Sequence, residues 1–144
     1  RGLKKLSNMI ESLRSYLSEC PFLNGGRVNV DYIGAEMTYS IDPLPCDPVI
    51  QRYVDGGAKK QFQFAFTSKE QYDEDARINI DNSEFFQKFE DWLEQQNFTE
   101  NLPDLPDGKI PVRFETLSKG YLYDIDGNLA KYRIECRLLY SQEV

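Results

Sequence analysis

Four oxygen-bearing side chains have the spacing of a calcium-binding loop. Positions 1, 3, 5 and 12 of an EF-hand pattern are occupied by Asp124, Asp126, Asn128 and Glu135. Such a loop surrounds Ca²⁺ with carboxylate and amide oxygens, and it requires glycine at position 6. This chain has Leu129 there. Because Asp126-Gly127 separates two alternating apolar stretches, a β-hairpin turn is the stronger interpretation of these residues.

Two carboxylates and a lysine, Asp104, Asp107 and Lys109, are the residue types of a metal-dependent nuclease site. In such a site the carboxylates hold a divalent cation and the lysine supports the attacking water. Here the two carboxylates lie two residues apart in a Pro-rich stretch instead of on adjoining strands, so we interpret them as a solvated connection. A small metal-dependent hydrolase or nuclease that uses Asp and Glu residues stays the alternative function. Glycoside hydrolysis also stays open, because 24 acidic residues offer many carboxylate pairs whose separation the sequence does not fix.

The composition removes several other chemistries. The 144 residues include no histidine, and imidazole is the base of Ser/His/Asp and Cys/His mechanisms and a common zinc ligand. The three cysteines, Cys20, Cys46 and Cys136, lack the paired spacing of a zinc site, and their odd number and wide separation are typical of a reducing compartment. The glycine pairs lack the lysine of a phosphate-binding loop. We therefore expect no enzyme activity and no cofactor.

The negative charge is concentrated in one segment. The net charge is −7 and the isoelectric point is near 4.7, which argues against sequence-independent binding to phosphate backbones. Residues 70–107 contain twelve Asp and Glu against only Arg77 and Lys88, which leaves the remainder of the chain with a small positive charge.

Apolar periodicity predicts two amphipathic helices. The first has a stripe at alternating steps of three and four, formed by Leu3, Leu6, Ile10, Leu13 and Leu17. After a loop or short helix that reaches Ile80, the second covers residues 83–97 and has an aromatic side formed by Phe85, Phe86, Phe89, Trp92 and Leu93. Asp81-Asn82-Ser83 supplies N-cap candidates for this second helix.

Alternation with period two predicts seven strands, over residues 28–32, 37–41, 49–54, 62–66, 112–116, 121–125 and 130–140. The first two are predicted to form a hairpin. We expect one domain over residues 1–144, an α+β fold in which a largely antiparallel sheet carries both helices on its apolar face. With no apolar run long enough to span a bilayer and no signal-like segment, we expect a cytosolic protein.

Three stretches resemble known proteins: VIQRYVDGGAKKQFQFAF (49–66), WLEQQNFTENLPDL (92–105) and YRIECRLLYSQ (132–142). They are similar to the tail-terminator, or minor capsid, proteins of phages and prophages of Gram-positive bacteria. The resemblance extends over nearly the whole chain and implies the tail-terminator α+β fold. It carries no catalytic residues.

The resemblance implies a role in assembly. Such proteins form a ring, typically of six subunits, that caps the tail tube and offers the surface on which the head docks. The implied partners are further copies of the chain, the tail tube protein and a head-completion or connector protein, with no membrane and no sequence-specific nucleic acid; DNA passes through the lumen at most. The implied locations are the bacterial cytoplasm during assembly and the head-proximal end of the virion tail.

A ring subunit needs two different surfaces that meet head to tail. The charge asymmetry suggests complementary edges that steer assembly. The candidates for the basic edge are Arg113, Lys131, Arg133 and Arg137, and those for the acidic edge are Glu84, Glu90, Asp91 and Glu94. A second hypothesis is that the acidic segment lines the lumen, where negative charge would let DNA slide.

Overall fold

The computed structural model describes residues 2–21, 28–30, 38–71, 76–126 and 129–143, and their side chains over 9–21, 39–69, 85–125 and 130–143. Over these residues the chain forms two helices, α1 (Gly2–Leu17) and α2 (Ala76–Thr99). The strands are β1 (Val28–Val30), β2 (Thr38–Pro43), β3 (Val49–Arg52), β4 (Ala58–Gln71), β5 (Lys109–Thr116), β6 (Tyr121–Asp126) and β7 (Leu129–Gln142). Neither helix, over the part that the structure describes, has the length and apolar character that crossing a bilayer demands.

Two 14-residue strands, β4 and β7, form the centre of the sheet. They are antiparallel and align over their full length, from Ala58 opposite Gln142 to Gln71 opposite Leu129. On the outer side of β4 lie β2 and β3, and on the outer side of β7 lie β5 and β6. All of these pairs are antiparallel, and the short β1 adds a parallel pair beside β2. The α+β expectation with a largely antiparallel sheet is confirmed.

The two helices pack on one face of the sheet, which we call the helix face. Alternate residues of the central strands point into it, because successive side chains of a strand leave opposite faces. Phe64 and Phe66 on β4 are fully buried there. Phe66 stacks on Phe89 of α2 with ring centroids 4.5 Å apart, and Tyr16 of α1 stacks on Phe114 of β5 at 5.4 Å. The predicted aromatic strand therefore forms the core.

Two local predictions are wrong. The helix α2 begins at Ala76, so Asp81-Asn82-Ser83 lies inside it and does not cap it. Those residue types favour an N-cap, yet a helix interior also accepts them where the rest of the segment packs on a core. The first two strands pair in parallel instead of forming a hairpin, because alternation fixes which side chains share a face and not the direction of the partner strand.

Three residues in left-handed backbone conformations steer the chain from α2 into β5. Glu100 follows the helix with a φ of 58°, and the amide of Asn101 donates to the carbonyl of Gln96 at 3.0 Å, as in a Schellman C-cap. Asp107 and Gly108 have φ values of 57° and 73° in the tight turn that starts β5. The segment between these two reversals lies alongside the first residues of β5.

Candidate interaction surfaces

The opposite face of the sheet, which we call the polar face, carries the predicted basic residues. Its members are the odd-numbered residues of β4 and β7 and their neighbours on β2, β5 and β6. The register places Lys131, Arg133, Glu135 and Arg137 of β7 opposite Lys69, Thr67, Ala65 and Gln63 of β4. Both described helices lie on the other side of the sheet, so the polar face is covered by its own long polar side chains.

Arg137 is held by partners from both neighbouring strands. Its Nε donates to Glu115 Oε1 at 2.8 Å and its Nη2 lies 2.6 Å from the same oxygen. Its Nη1 donates to Gln61 Oε1 at 3.1 Å. The guanidinium thus ties β7 to β5 on one side and to β4 on the other. This predicted interface residue is committed to contacts within its own chain.

Arg133 is also held inside the chain, under an aromatic ring. Its guanidinium carbon lies 4.0 Å from the centroid of the Tyr123 ring, a cation–π geometry. An Nη lies 3.7 Å from a carboxylate oxygen of Asp42, whereas its buried Nε and the hydroxyl of Thr67 have no hydrogen-bond partner among the described residues. The side chain is only 16% exposed, so a neighbouring subunit would have little access to it.

Tyr121 completes this layer. Its hydroxyl donates to Glu135 Oε2 at 2.6 Å. Partial burial and the Glu135 carboxylate, which accepts the proton in the hydrogen bond, raise the pKa of the Tyr121 hydroxyl above its usual value. Near β6, the charged side chains described above are therefore paired with other groups of the same chain.

Of the other two predicted basic residues, Arg113 is the more accessible. Arg113 on β5 has a 56% exposed side chain whose Nε lies 3.7 Å from Glu115 Oε2. Lys131 on β7 is half-buried and lies beside Asp124 of β6 in the strand register. Of the four candidates for the basic edge, Arg113 therefore offers a partner the most accessible side chain.

The predicted acidic residues lie along α2, and they differ in their surroundings. Asp91 is exposed and accepts a hydrogen bond from Gln87 at 3.1 Å. Glu90 faces the connection from β5 to β6, where the hydroxyl of Thr116 donates to it at 3.4 Å and Lys119 Nζ lies 3.9 Å away. Glu94 is exposed. Glu84 belongs to the helix, but its side chain lies outside the described residues.

Residues from both the predicted basic edge and the predicted acidic edge line one cavity. Between α2 and β5 lies a cavity of about 220 Å³ whose lining includes Glu90, Glu94 and Arg113. Asn97 closes its floor, because its amide group donates to the carbonyl of Phe114 at 2.8 Å and accepts from the amide of Phe114 at 2.7 Å. The side chain acts as a short substitute for a further strand at this edge.

The residues of the two metal hypotheses lie on different elements. Asp124 is on β6 and Glu135 is on β7, where the register places Asp124 opposite Lys131, so the predicted pair of strands is confirmed, while the turn at Gly127 and Asn128 lies outside the described residues. Asp107 sits in the turn before β5 and Asp104 is exposed in the preceding connection. Among the described residues no group of three Cys, Asp or Glu side chains is placed to hold a metal ion.

Exposed apolar side chains at the two edges of the sheet were missed by the charge argument. One set is at the turn between β3 and β4, where Val54 is fully exposed and Tyr53 is 39% exposed. The other set is near the start of β5, where Phe98 is 86%, Ile110 48% and Val112 46% exposed. For Tyr53 and Val54, the sequence did contain an indication. Val54 directly precedes the turn sequence Asp55-Gly56-Gly57, and residues in turns are usually polar.

Comparison of the chain with protein-family models and with curated proteins finds no match.

Proposed function

We propose that this chain is a structural protein of phage or prophage tail assembly, which caps the tail tube as a ring and helps to join the tail to the head. The copies in the ring, the tail tube protein and a head-completion or connector protein are its partners. The proposal rests on the similarity of residues 49–66, 92–105 and 132–142 to tail-terminator proteins. It assigns the chain no catalytic residue.

One observation of the geometry supports an assembly role best: the exposed carboxylates of α2 and Lys131 of β7 lie on opposite sides of the sheet. The exposed side of α2 presents Asp91 and Glu94. The polar face of the sheet, on the other side, carries Lys131, whereas Arg113 lines the cavity between α2 and β5 together with Glu94. A subunit that meets its neighbours head to tail needs such unlike surfaces, since each contact joins one surface to the other.

The experiment is negative-stain electron microscopy of the purified chain mixed with uncapped tail tubes of the cognate phage. The proposal expects a ring of density at one end of each tube, and it expects the tubes to stop lengthening. Tubes incubated with a heat-denatured sample of the same protein provide the control. Tube ends that look the same with and without the folded chain would overturn the proposed function.

A second measurement addresses the alternative of a metal-dependent hydrolase or nuclease. A carboxylate site that binds manganese or calcium stabilises the folded state by mass action, so the melting temperature would rise with the metal concentration. A capping ring predicts a shift that does not saturate and that magnesium reproduces as a general salt effect. A saturable rise of several degrees with one metal would favour the hydrolase.

A further inference from the structure

The turn between β3 and β4 forms a rigid apolar projection, which we call the tip (Arg52–Lys60). The amide of Tyr53 donates to the carbonyl of Gly57 at 2.8 Å, and the amide of Gly56 donates back to the carbonyl of Tyr53 at 3.1 Å. Asp55 accepts from the amide of Gly57 at 3.0 Å. These bonds fix a turn that holds the Val54 side chain fully in solvent. A fixed, exposed apolar side chain loses little conformational entropy when it binds.

On the other edge of the sheet lies a concave surface with both apolar and charged residues in its lining, which we call the groove (residues 98–112). It encloses about 410 Å³ between the segment after α2 and the first residues of β5. Leu102 and Leu105 form its floor and pack against the core below them, while Ile110 and Val112 line its wall and are about half exposed. This surface depression combines an apolar floor and wall with charged lining residues, and such a depression can receive a protruding side chain.

Within one chain, β3 beside the tip and β5 beside the groove lie on opposite sides of β4 and β7. Arg52 aligns with Ala58, Ala58 with Gln142, and Gln142 with Lys109, so the four strands cross the same end of the sheet in one row. Adjacent strands are about 4.8 Å apart, which separates β3 from β5 by roughly 14 Å.

Their charges are complementary. Residues 52–60 of the tip contain Arg52, Lys59 and Lys60 against Asp55, a net charge of +2. Residues 98–112 of the groove contain Glu100, Asp104 and Asp107 against Lys109, a net charge of −2. Opposite charges around apolar surfaces that fit each other favour the correct docking and disfavour contacts between like surfaces.

We infer that the tip of one copy of this chain docks in the groove of the next copy, with Val54 as the anchor between Ile110 and Val112. The contact is heterologous, so each copy still has a free tip at one side and a free groove at the other. Repetition closes into a ring where the rotation between copies divides a full turn. The inference deepens the proposed function, since it names the surfaces that join the subunits of the ring.

The test uses two variants of the full chain, Val54→Asp at the tip and Val112→Asp in the groove, in sedimentation velocity and native mass spectrometry from micromolar to near-millimolar concentration. The wild-type chain is expected to associate beyond a dimer. Each variant alone is expected to associate at least about tenfold more weakly. A mixture of the two variants is expected to stop at a heterodimer, because only the intact groove of the first and the intact tip of the second can meet.

Leu122→Asp is the matched control. Leu122 is 45% exposed on β6 and lies outside both surfaces, so its substitution removes a similar exposed apolar group and should leave association unchanged. Circular dichroism melting checks the fold of every variant, and Ile110→Asp replaces Val112→Asp if the latter unfolds. The combined variant Arg52→Glu with Asp104→Lys, which exchanges one charge of each surface, should associate more strongly than either single variant.

Three outcomes would overturn the contact: a wild-type chain that stays monomeric throughout the series, a wild-type species that stops at a dimer, or variants that assemble as the wild type does. None of these outcomes is the same as failure of the proposed function. Wild-type chains that associate through the tip and groove but leave tail tubes uncapped would contradict the capping role alone. Capping that survives Val54→Asp would contradict the contact alone.

Discussion

The helix face and the polar face are built by the same two central strands, yet different forces stabilise them. On the helix face, the even-numbered residues of β4 and β7 bury aromatic and aliphatic groups such as Phe64, Phe66 and Leu138. On the polar face, odd-numbered residues one position away form directional contacts, such as those of Arg137 with Glu115 and Gln61. Burial supplies most of the free energy, and the directional contacts specify which strand lies next to which.

The largest effect should come from the helix face. Phe66→Ala removes a fully buried ring that stacks on Phe89, and we expect the free energy of unfolding to fall by about 3–5 kcal/mol. Urea denaturation of the purified chain measures the loss. Gln63→Ala is the control on the same strand but on the polar face, and it should cost less than about 1 kcal/mol. Equal losses at the two positions would contradict the division between the faces.

Asn97 tests a polar anchor placed beside the apolar layer. Asn97→Ala leaves both the amide and the carbonyl of Phe114 without their partner, and we expect a loss of about 2 kcal/mol in urea denaturation. Gln95→Ala, at an exposed position of the same helix, should change stability by no more than about 0.5 kcal/mol. If hydrogen exchange showed the amide of Phe114 equally protected in both variants, the anchoring role would be refuted.

Salt distinguishes the two faces at a smaller scale. Arg137→Met keeps much of the side-chain volume and removes the contacts with Glu115 and Gln61, so we expect a loss of about 1 kcal/mol at low ionic strength. That loss should shrink at about 1 M salt, where charges are screened within roughly 3 Å. The loss from Phe66→Ala should not shrink. A salt-independent loss at Arg137 would mean that its packing matters more than its charge.

The smallest effect is a change in alkaline pH dependence. Burial raises the pKa of Tyr16 above its usual 10.0 and that of Cys136 above its usual 9.0. As the pH rises, Tyr16 and Cys136 therefore lose their protons in the unfolded chain before they do so in the folded chain. The free energy of unfolding is unaffected by this difference below about pH 9 and decreases at higher pH. Tyr16→Phe also loses the hydrogen bond to the carbonyl of Asn101, so it should cost about 1 kcal/mol near neutrality.

Above pH 10 the stability of Tyr16→Phe should fall less steeply with pH than that of the wild type, as measured by urea denaturation at a series of pH values. Tyr121→Phe is the comparison on the polar face. Its hydroxyl pKa is also raised, but the side chain is 36% exposed, so the change in slope should be smaller. A larger change at Tyr121 than at Tyr16 would reverse the expected order of the two faces.

Periodicity predicted the faces of the sheet well, because a period of two is a local property of a strand. It correctly separated Lys131, Arg133 and Arg137 from the apolar residues of β7. It failed at the start of α2 and at the direction of β1, because both depend on what the segment packs against. The aromatic underside of α2 was correctly predicted, since the helical period is equally local.

The partners of the charged residues could not be predicted from the sequence. Arg137 meets Glu115 and Gln61, which come from strands far away along the chain, and no local pattern joins them. Arg133 and Arg137 were therefore predicted to be interface residues, although both make their contacts within their own chain. The tip and the groove were missed for a related reason, because exposure of Val54 or Val112 depends on the position of the strand in the finished sheet.

The central position of β7 affects when the chain can fold during its synthesis. The strand pairs with β4, β5 and β6, and the ribosome makes it after all three. Until residues 134–138 have emerged, Phe62, Phe64 and Phe66 of β4 have no strand beside them on that side. Closing such a long loop precedes most of the favourable contacts, so we expect folding in milliseconds to seconds, after synthesis of the whole sheet. During that interval the uncovered aromatic strand is the part most exposed to aggregation.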